Sequence, residues 1–546
     1  MSESGSRSVP SLLDDLARAG IRLRLAPGDR IEVIAPKGGL TGDLRERIGQ
    51  HKQELIAWLD GARTRREQEA ELPALTPDEK HLYEPFAPSD LQMSFIMGGR
   101  EGFEYYVRPH QYMEYDLAEA DPGRLEKALN QELEYQRRNL VVVREDLRLQ
   151  TVRDPGPARI EVFDVRHLDA DRAQAHVERV RDSMKRLEPA HDRWPWVDMR
   201  VSLLPDGAAK LHYNNNNLFS DAPATLRFIS AVLRRYENPG ESPPELEISY
   251  RDCVLALAEL EESPLGQASK KYWTDRIADW PAAPEIPLAS GADPRRRSRL
   301  ERRELLFPPD VWASLKEKAA SRNLTTTNVL CGVHAEVLAF WSGSRHFLLN
   351  NMITHRLPLH PQMSEVFGNF ASLYPLEIDW RHEEGFEDRI RRLQAQVLSD
   401  VEHVYWSGVK VLQALNQHRR TPGKAVCPYA VGSALFVGAA ERPVHSLLET
   451  PQTLIDCEFW DLRDGSLWVI WDVIEDMFPP GLIDAMQEGY RSIVMRLAES
   501  DEAWQERAFD LLPDAQRVRR AALNAPSGPV PPGLLHDSLA RQAARQ

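Results

Sequence analysis

The sequence predicts a mixed α/β protein in more than one folding unit, and three observations predict it. The chain has 546 residues, against the ~100 to 200 of one ordinary domain core. Residues 1–61 carry short elements and frequent turn signals in the order α, β, β, α, α. From there to Leu512, strand-like and helix-like stretches alternate without a nucleotide-binding glycine loop, which is the pattern of an α/β or α+β domain.

Composition removes several classes of function. With 42% apolar and 28% charged residues the chain is neither disordered nor collagen-like. No run approaches the ~18 uninterrupted apolar residues of a membrane span, and the first residues lack the basic flank and apolar core of a secretory signal. No membrane association and a cytoplasmic location are therefore expected. A net charge of −15 disfavours nucleic acid, whose binding needs phosphates neutralised by Lys and Arg. Cys253, Cys331, Cys427 and Cys457 lie far apart with no CxxC pair, so buried reduced thiols are expected rather than a zinc site or disulfides. The basic run Arg295 to Arg303 reads as a solvated loop.

In the first unit, Leu12, Leu13, Leu16 and Ala19 recur at helical spacing and Gly20 stops the helix. Ile21, Leu23 and Leu25 then alternate with polar residues, Pro27-Gly28-Asp29 turns, and Ile31 and Val33 alternate again, giving a β-hairpin that Pro36 ends. Leu44, Ile48, Leu55, Ile56 and Leu59 return to helical spacing, with a break expected near Gly49. This stretch resembles the tubulysin-type docking domains that open many megasynthetase subunits. The resemblance implies that the hairpin edge captures the C-terminal tail of an upstream subunit by strand addition, with Arg22, Arg24, Arg30 and Lys37 offering charge to an acidic tail.

Residues 62–78 are charged, aperiodic and interrupted by proline, hence a linker. Beyond them FAPSDLQMSFIMGG (Phe86 to Gly99), SYRDCVLA (Ser249 to Ala256), KKYWTDRIADWPAAPEIPL (Lys270 to Leu288), LNNMITHRLPLHP (Leu349 to Pro361), GNFASLYPLEID (Gly368 to Asp379) and SGVKVLQAL (Ser407 to Leu415) follow in order. Together they resemble nonribosomal peptide synthetase condensation domains, the later ones specifically the heterocyclisation branch. The resemblance implies two chloramphenicol-acetyltransferase-like lobes in a V with a tunnel between them, here 79–245 and 246–512. Upstream and downstream carrier proteins feed that tunnel on phosphopantetheine arms, and no cofactor is bound by the domain itself. One arm brings an acyl or peptidyl thioester and the other a cysteine, serine or threonine thioester. After amide formation the side chain attacks the new carbonyl, and loss of water gives a thiazoline or oxazoline. The tail 513–546 looks like the linker into an adenylation domain, which implies a longer module.

The same resemblance marks candidate site residues. In LHYNNNNLFSDAPATLRF the family's two aspartates fall on Asn216 and Asp221. Asn216 cannot ionise, and Asp221 suits a structural pairing with a buried arginine such as Arg356, since an unpaired buried carboxylate is costly. In the second half the family's catalytic aspartate is Asp456, while its threonine is replaced by Gly432. Neighbouring Ser433 points to the other face of the strand by alternation. Glu458 stands two residues from Asp456 on the same face, either as an acid–base partner with a shifted pKa or reaching solvent or an arginine at the strand's end. The first half also departs from the family at RRNLVV (Arg137 to Val142). Neither His355 nor His360 has metal-ligand spacing, and both are expected to be structural. Three readings stay open: condensation with cyclodehydration, a divergent domain forming the amide without normal ring closure, and a non-catalytic module that docks carriers.

Overall fold

The computed structural model describes residues 21–26, 30–35, 40–50, 52, 55, 72–188, 190–240, 243–438, 440–525, 534 and 536–545. The expected first helix and Lys37 lie outside them, as do the side chains of Arg22, Arg24 and Arg30. Strands β1 (Arg22–Ala26) and β2 (Arg30–Ile34) pair antiparallel with Leu23 opposite Val33 and Leu25 opposite Ile31. Leu23, Ile31 and Val33 pack against Leu44, Ile48 and Leu55. Leu44 and Ile48 come from the helix Gly42–Gln50, one turn apart, which is how a four-residue spacing makes one apolar face.

Thirteen further strands follow in chain order: β3 (His110–Leu117), β4 (Val141–Val143), β5 (Leu149–Thr151), β6 (Glu161–Asp164), β7 (Val197–Leu203), β8 (Ala209–Asn215), β9 (Glu301–Phe307), β10 (His346–Thr354), β11 (Ala371–Asp379), β12 (Tyr429–Ser433), β13 (His445–Glu449), β14 (Ile455–Asp461) and β15 (Leu467–Val473). They form two large sheets, of order β13-β3-β8-β7-β6 and β11-β10-β12-β14-β15-β9. Each sheet with its helices makes one lobe. In the first, Met113, Tyr115, Met199, Leu211 and Tyr213 bury one face beneath the helices Pro122–Tyr135 and Ala222–Glu237. Tyr112, one residue along from Met113, turns to the other face and meets Val180 and Met184 of the helix Ala170–Arg186. The period of two thus assigns each side chain its layer.

Two segments tie the lobes together. Strand β13 lies in sequence between two strands of the second sheet yet pairs with β3 of the first. Leu359, Met363, Val366, Phe367 and Phe370, which follow β10, pack into the first lobe's core. The opening motif has its physical reason here. Ser89 caps the helix Asp90–Gly98 reciprocally with Gln92, and the Gln92 amide also donates to the Leu218 carbonyl at 2.9 Å, bracing the loop after β8. The four cysteines are buried and free. The basic run does not stay a solvated loop, because Arg302 and Arg303 enter β9 and Arg302 is buried against Asp472.

The buried His212 and His334 and the half-buried His355 set an acid limit on stability. Burial pushes His212 and His355 down to about 4 and His334 to about 3. His334 has no hydrogen-bond partner at either nitrogen and packs edge-on against Trp471. Above pH ~6.5 such a group is neutral folded or unfolded; below it only the unfolded chain takes up the proton, so stability falls as pH drops. Going from pH 7 to 5 is expected to cost about 2 kcal/mol through His334 alone. Urea unfolding at the two pH values checks this: His334→Leu should shrink the drop by that amount, and an unchanged drop rules it out.

Candidate active site

Registry across the second sheet assembles a charged row. On β14 Asp456 lies opposite Asp472 of β15, and Asp472 lies opposite Arg302 of β9. Because alternate residues share a face, Asp456, Glu458 and Trp460 face the first lobe, whereas Cys457 and Phe459 join the core under the helices. On β12, parallel to β14, Gly432 lies opposite Glu458 and Ala430 opposite Asp456.

Arg302 donates to both Asp472 oxygens, at 2.8 and 2.5 Å, and to Ser446 Oγ of β13 at 2.7 Å. Burial raises the Asp472 carboxyl above its ordinary range, and the bidentate Arg302 guanidinium offsets part of that rise. That guanidinium is thereby committed to Asp472 and Ser446, and Asp456 and Glu458, side by side on one face, feel its charge without a hydrogen bond to it. Burial, then the negative charges of Glu458 and Asp472, hold the Asp456 carboxyl well above the ordinary carboxylate range. Burial likewise raises Glu458, against the lowering charge of Arg302, and its carboxylate accepts from the Trp460 indole at 3.1 Å. Asp456 Oδ1 accepts no hydrogen bond. Carboxyls raised in this way are suited to exchange a proton with a bound group.

These side chains wall a cavity of about 150 Å³ between the lobes. A second, of about 310 Å³, shares Phe95, Met352 and Thr450 with it. Gly432 leaves room on the cavity wall: a Cβ there would sit 3.4 Å from Met352 Cβ and 4.0 Å from Glu458 Cγ, ordinary contact distances. Packing does not demand the glycine. Ser433 points to the helix side, where its hydroxyl meets Thr327 Oγ1 at 3.0 Å.

The first-lobe candidates divide differently from the sequence expectation. Asn216, a candidate catalytic position by resemblance, lies in the turn after β8, where its Oδ1 accepts from Leu218 N at 3.0 Å. Asp221 caps the helix Ala222–Glu237 through Ala224 N at 2.8 Å and receives Arg356 Nη2 at 3.0 and 3.2 Å and Phe370 N at 3.0 Å. Its lone pairs are thus engaged in architecture, although its residue borders the cavity. Arg302, Asp472 and Asn217 were missed. A lone aspartate inside the apolar run Leu467–Val473 is the signal that pointed to Asp472. Among the described residues no group of His, Cys, Asp and Glu is suited to hold a metal ion, and no helix is long and apolar enough to cross a membrane.

Comparison with known proteins agrees with this geometry. The condensation-domain family model matches residues 110–424, and the TubC N-terminal docking domain model matches residues 9–60. Pyochelin synthetase PchF of Pseudomonas aeruginosa is 32% identical over 508 residues, covering 91% of this chain and 27% of that protein. Phenyloxazoline synthase MbtB of a Mycobacterium species is 32% identical over 479 residues, covering 84% and 39%. The chain thus spans between a quarter and two-fifths of these relatives. A crystal structure of the EpoB cyclization-docking bidomain from Sorangium cellulosum superposes with a TM-score of 0.74 at 31% identity, covering 91% of this chain and 99% of that one.

Proposed function

The chain belongs to the condensation-domain family of nonribosomal peptide synthetases, and from that premise we propose that it joins two carrier-bound substrates and then closes a ring. An upstream acyl or peptidyl thioester acylates the amine of a carrier-bound cysteine, serine or threonine. The side-chain thiol or hydroxyl attacks the new amide carbonyl, and water leaves to give a thiazoline or oxazoline. The observation that carries this reading is Asp456, a carboxyl that burial holds well above the ordinary carboxylate range on the wall of the interlobe cavity. Ring closure needs a proton delivered to the departing oxygen and one removed from the ring nitrogen, and positioned acid–base groups supply both. Asp456 is the donor, with Glu458 as the neighbour able to take a proton. The two cavities that share Phe95, Met352 and Thr450 suit two phosphopantetheine arms. Residues 1–61 act as the docking domain, 79–245 and 246–512 as the lobes, and the hairpin edge takes the upstream subunit's tail.

Gly432 favours a second reading, amide formation without ring closure, because the family's threonine hydroxyl is missing beside Glu458. Reconstitution with both loaded carriers separates the two by intact mass. The expected product is lighter than the plain amide by one water; accumulation of the amide alone selects the second reading, and no product refutes both. Run with the donor on its own subunit, the same assay is expected to lose transfer when residues 1–61 are deleted, and undiminished transfer would remove the docking role.

A further inference from the structure

Besides Asp456, the residues lining the cavity include Asn217, Thr354 and Trp468 with a buried polar atom lacking a partner, and Asn217 belongs to the first lobe. Asn217 is 6% exposed and sits between β8 and the helix Ala222–Glu237, on the wall it shares with Asp456. Its backbone carbonyl is held by the Asn369 amide at 2.8 Å. Its own Nδ2 donates to the Glu449 carbonyl of β13 at 3.4 Å, which fixes the sense of the carboxamide: rotation by half a turn would set oxygen against oxygen. Oδ1 is then the end turned from Glu449; it is buried and accepts no hydrogen bond within the protein. A buried acceptor left unmatched costs roughly 1–3 kcal/mol, so a ligand that brings a donor is favoured there.

We propose that Asn217 Oδ1 receives an N–H of the acceptor's amine and aims its lone pair at the donor thioester; the proposal rests on the condensation reading above. A thioester carbonyl has no donor to offer this oxygen, whereas the attacking amine has two N–H groups and needs only one to remain after the reaction. An amide oxygen neither ionises nor gives a proton near neutral pH. It suits the step that needs orientation, amine attack, while ring closure calls on the carboxyl cluster. In the oriented step the N–C bond forms, the C–S bond breaks, and the proton shed by nitrogen leaves with the donor arm's thiol. Asn217 moves no proton.

The test uses the whole chain with both loaded carriers, comparing wild type with Asn217→Ala. Amide formation at saturating carriers is expected to fall ten- to a hundredfold, about what one lost hydrogen bond to the reacting group supplies, with carrier KM and the thermal midpoint unchanged. An unaltered kcat overturns the proposal. So does a loss that comes with a raised KM or a lowered midpoint, since the residue would then only shape the loop. If wild type itself forms no amide, the condensation reading falls instead, and this proposal with it.

Discussion

Replacing Asp456 by asparagine is expected to lower ring closure by two to four orders of magnitude, the span that positioned acid–base catalysis commonly contributes, while leaving amide formation within a few-fold of wild type. The substitution keeps the shape and one acceptor oxygen but removes the proton that the acid form carries. It also removes one of three carboxyls gathered around the single guanidinium of Arg302. Because burial and the neighbouring carboxyls oppose a charge at this position, a neutral asparagine should be at least as stable there as the aspartate, so lost dehydration will not be lost folding. The pH dependence follows from the same cause. The acid form is held above the ordinary carboxylate range, so ring closure should fall as pH rises through the Asp456 value, and amide formation should not follow it. Mass spectrometry of the carrier-bound product reads both steps; dehydration at the wild-type rate in the variant would remove Asp456 from the mechanism.

How much of this was legible beforehand depended on whether a side chain's role is local. The hairpin, with Leu23 and Leu25 opposite Val33 and Ile31, and the inward apolar stripes of the large helices follow from periods of 2 and 3.6. The opposite headings of Gly432 and Ser433 follow from strand alternation alone, and so does the shared face of Asp456 and Glu458. Other features needed registry between segments far apart in sequence. Arg302 stands in a basic run that looks like solvated loop, and only the pairing of β9 with β15 sets it against Asp472. Strand β13 has no local mark of belonging to the first sheet. Asn216 and Asn217 are adjacent and chemically identical, yet one amide closes a turn and the other borders the cavity. A run of four asparagines cannot tell which.

Arg356→Met is expected to cost about 3–5 kcal/mol, the usual penalty for removing one partner of a buried pair. The guanidinium is 8% exposed and Asp221 3%, and it answers more than one group: Nη1 donates to the Met363 and Val366 carbonyls, Nη2 to Asp221 and to the Gly368 carbonyl. Methionine of similar length fills the space yet leaves these acceptors buried and unmet. Asp221→Asn should cost less, because a carboxamide oxygen can still cap the helix through Ala224 N. Urea midpoints for the two single variants and the double give the order, with the double losing less than the sum, as partners in one network do. The same variants decide the role of Asp221. As an architectural residue it should leave kcat per folded molecule within a few-fold of wild type in Asp221→Asn. A variant that keeps its urea midpoint but loses amide formation would instead make Asp221 a reacting group, and the cap and the arginine beside it would then be the means of holding that group in place.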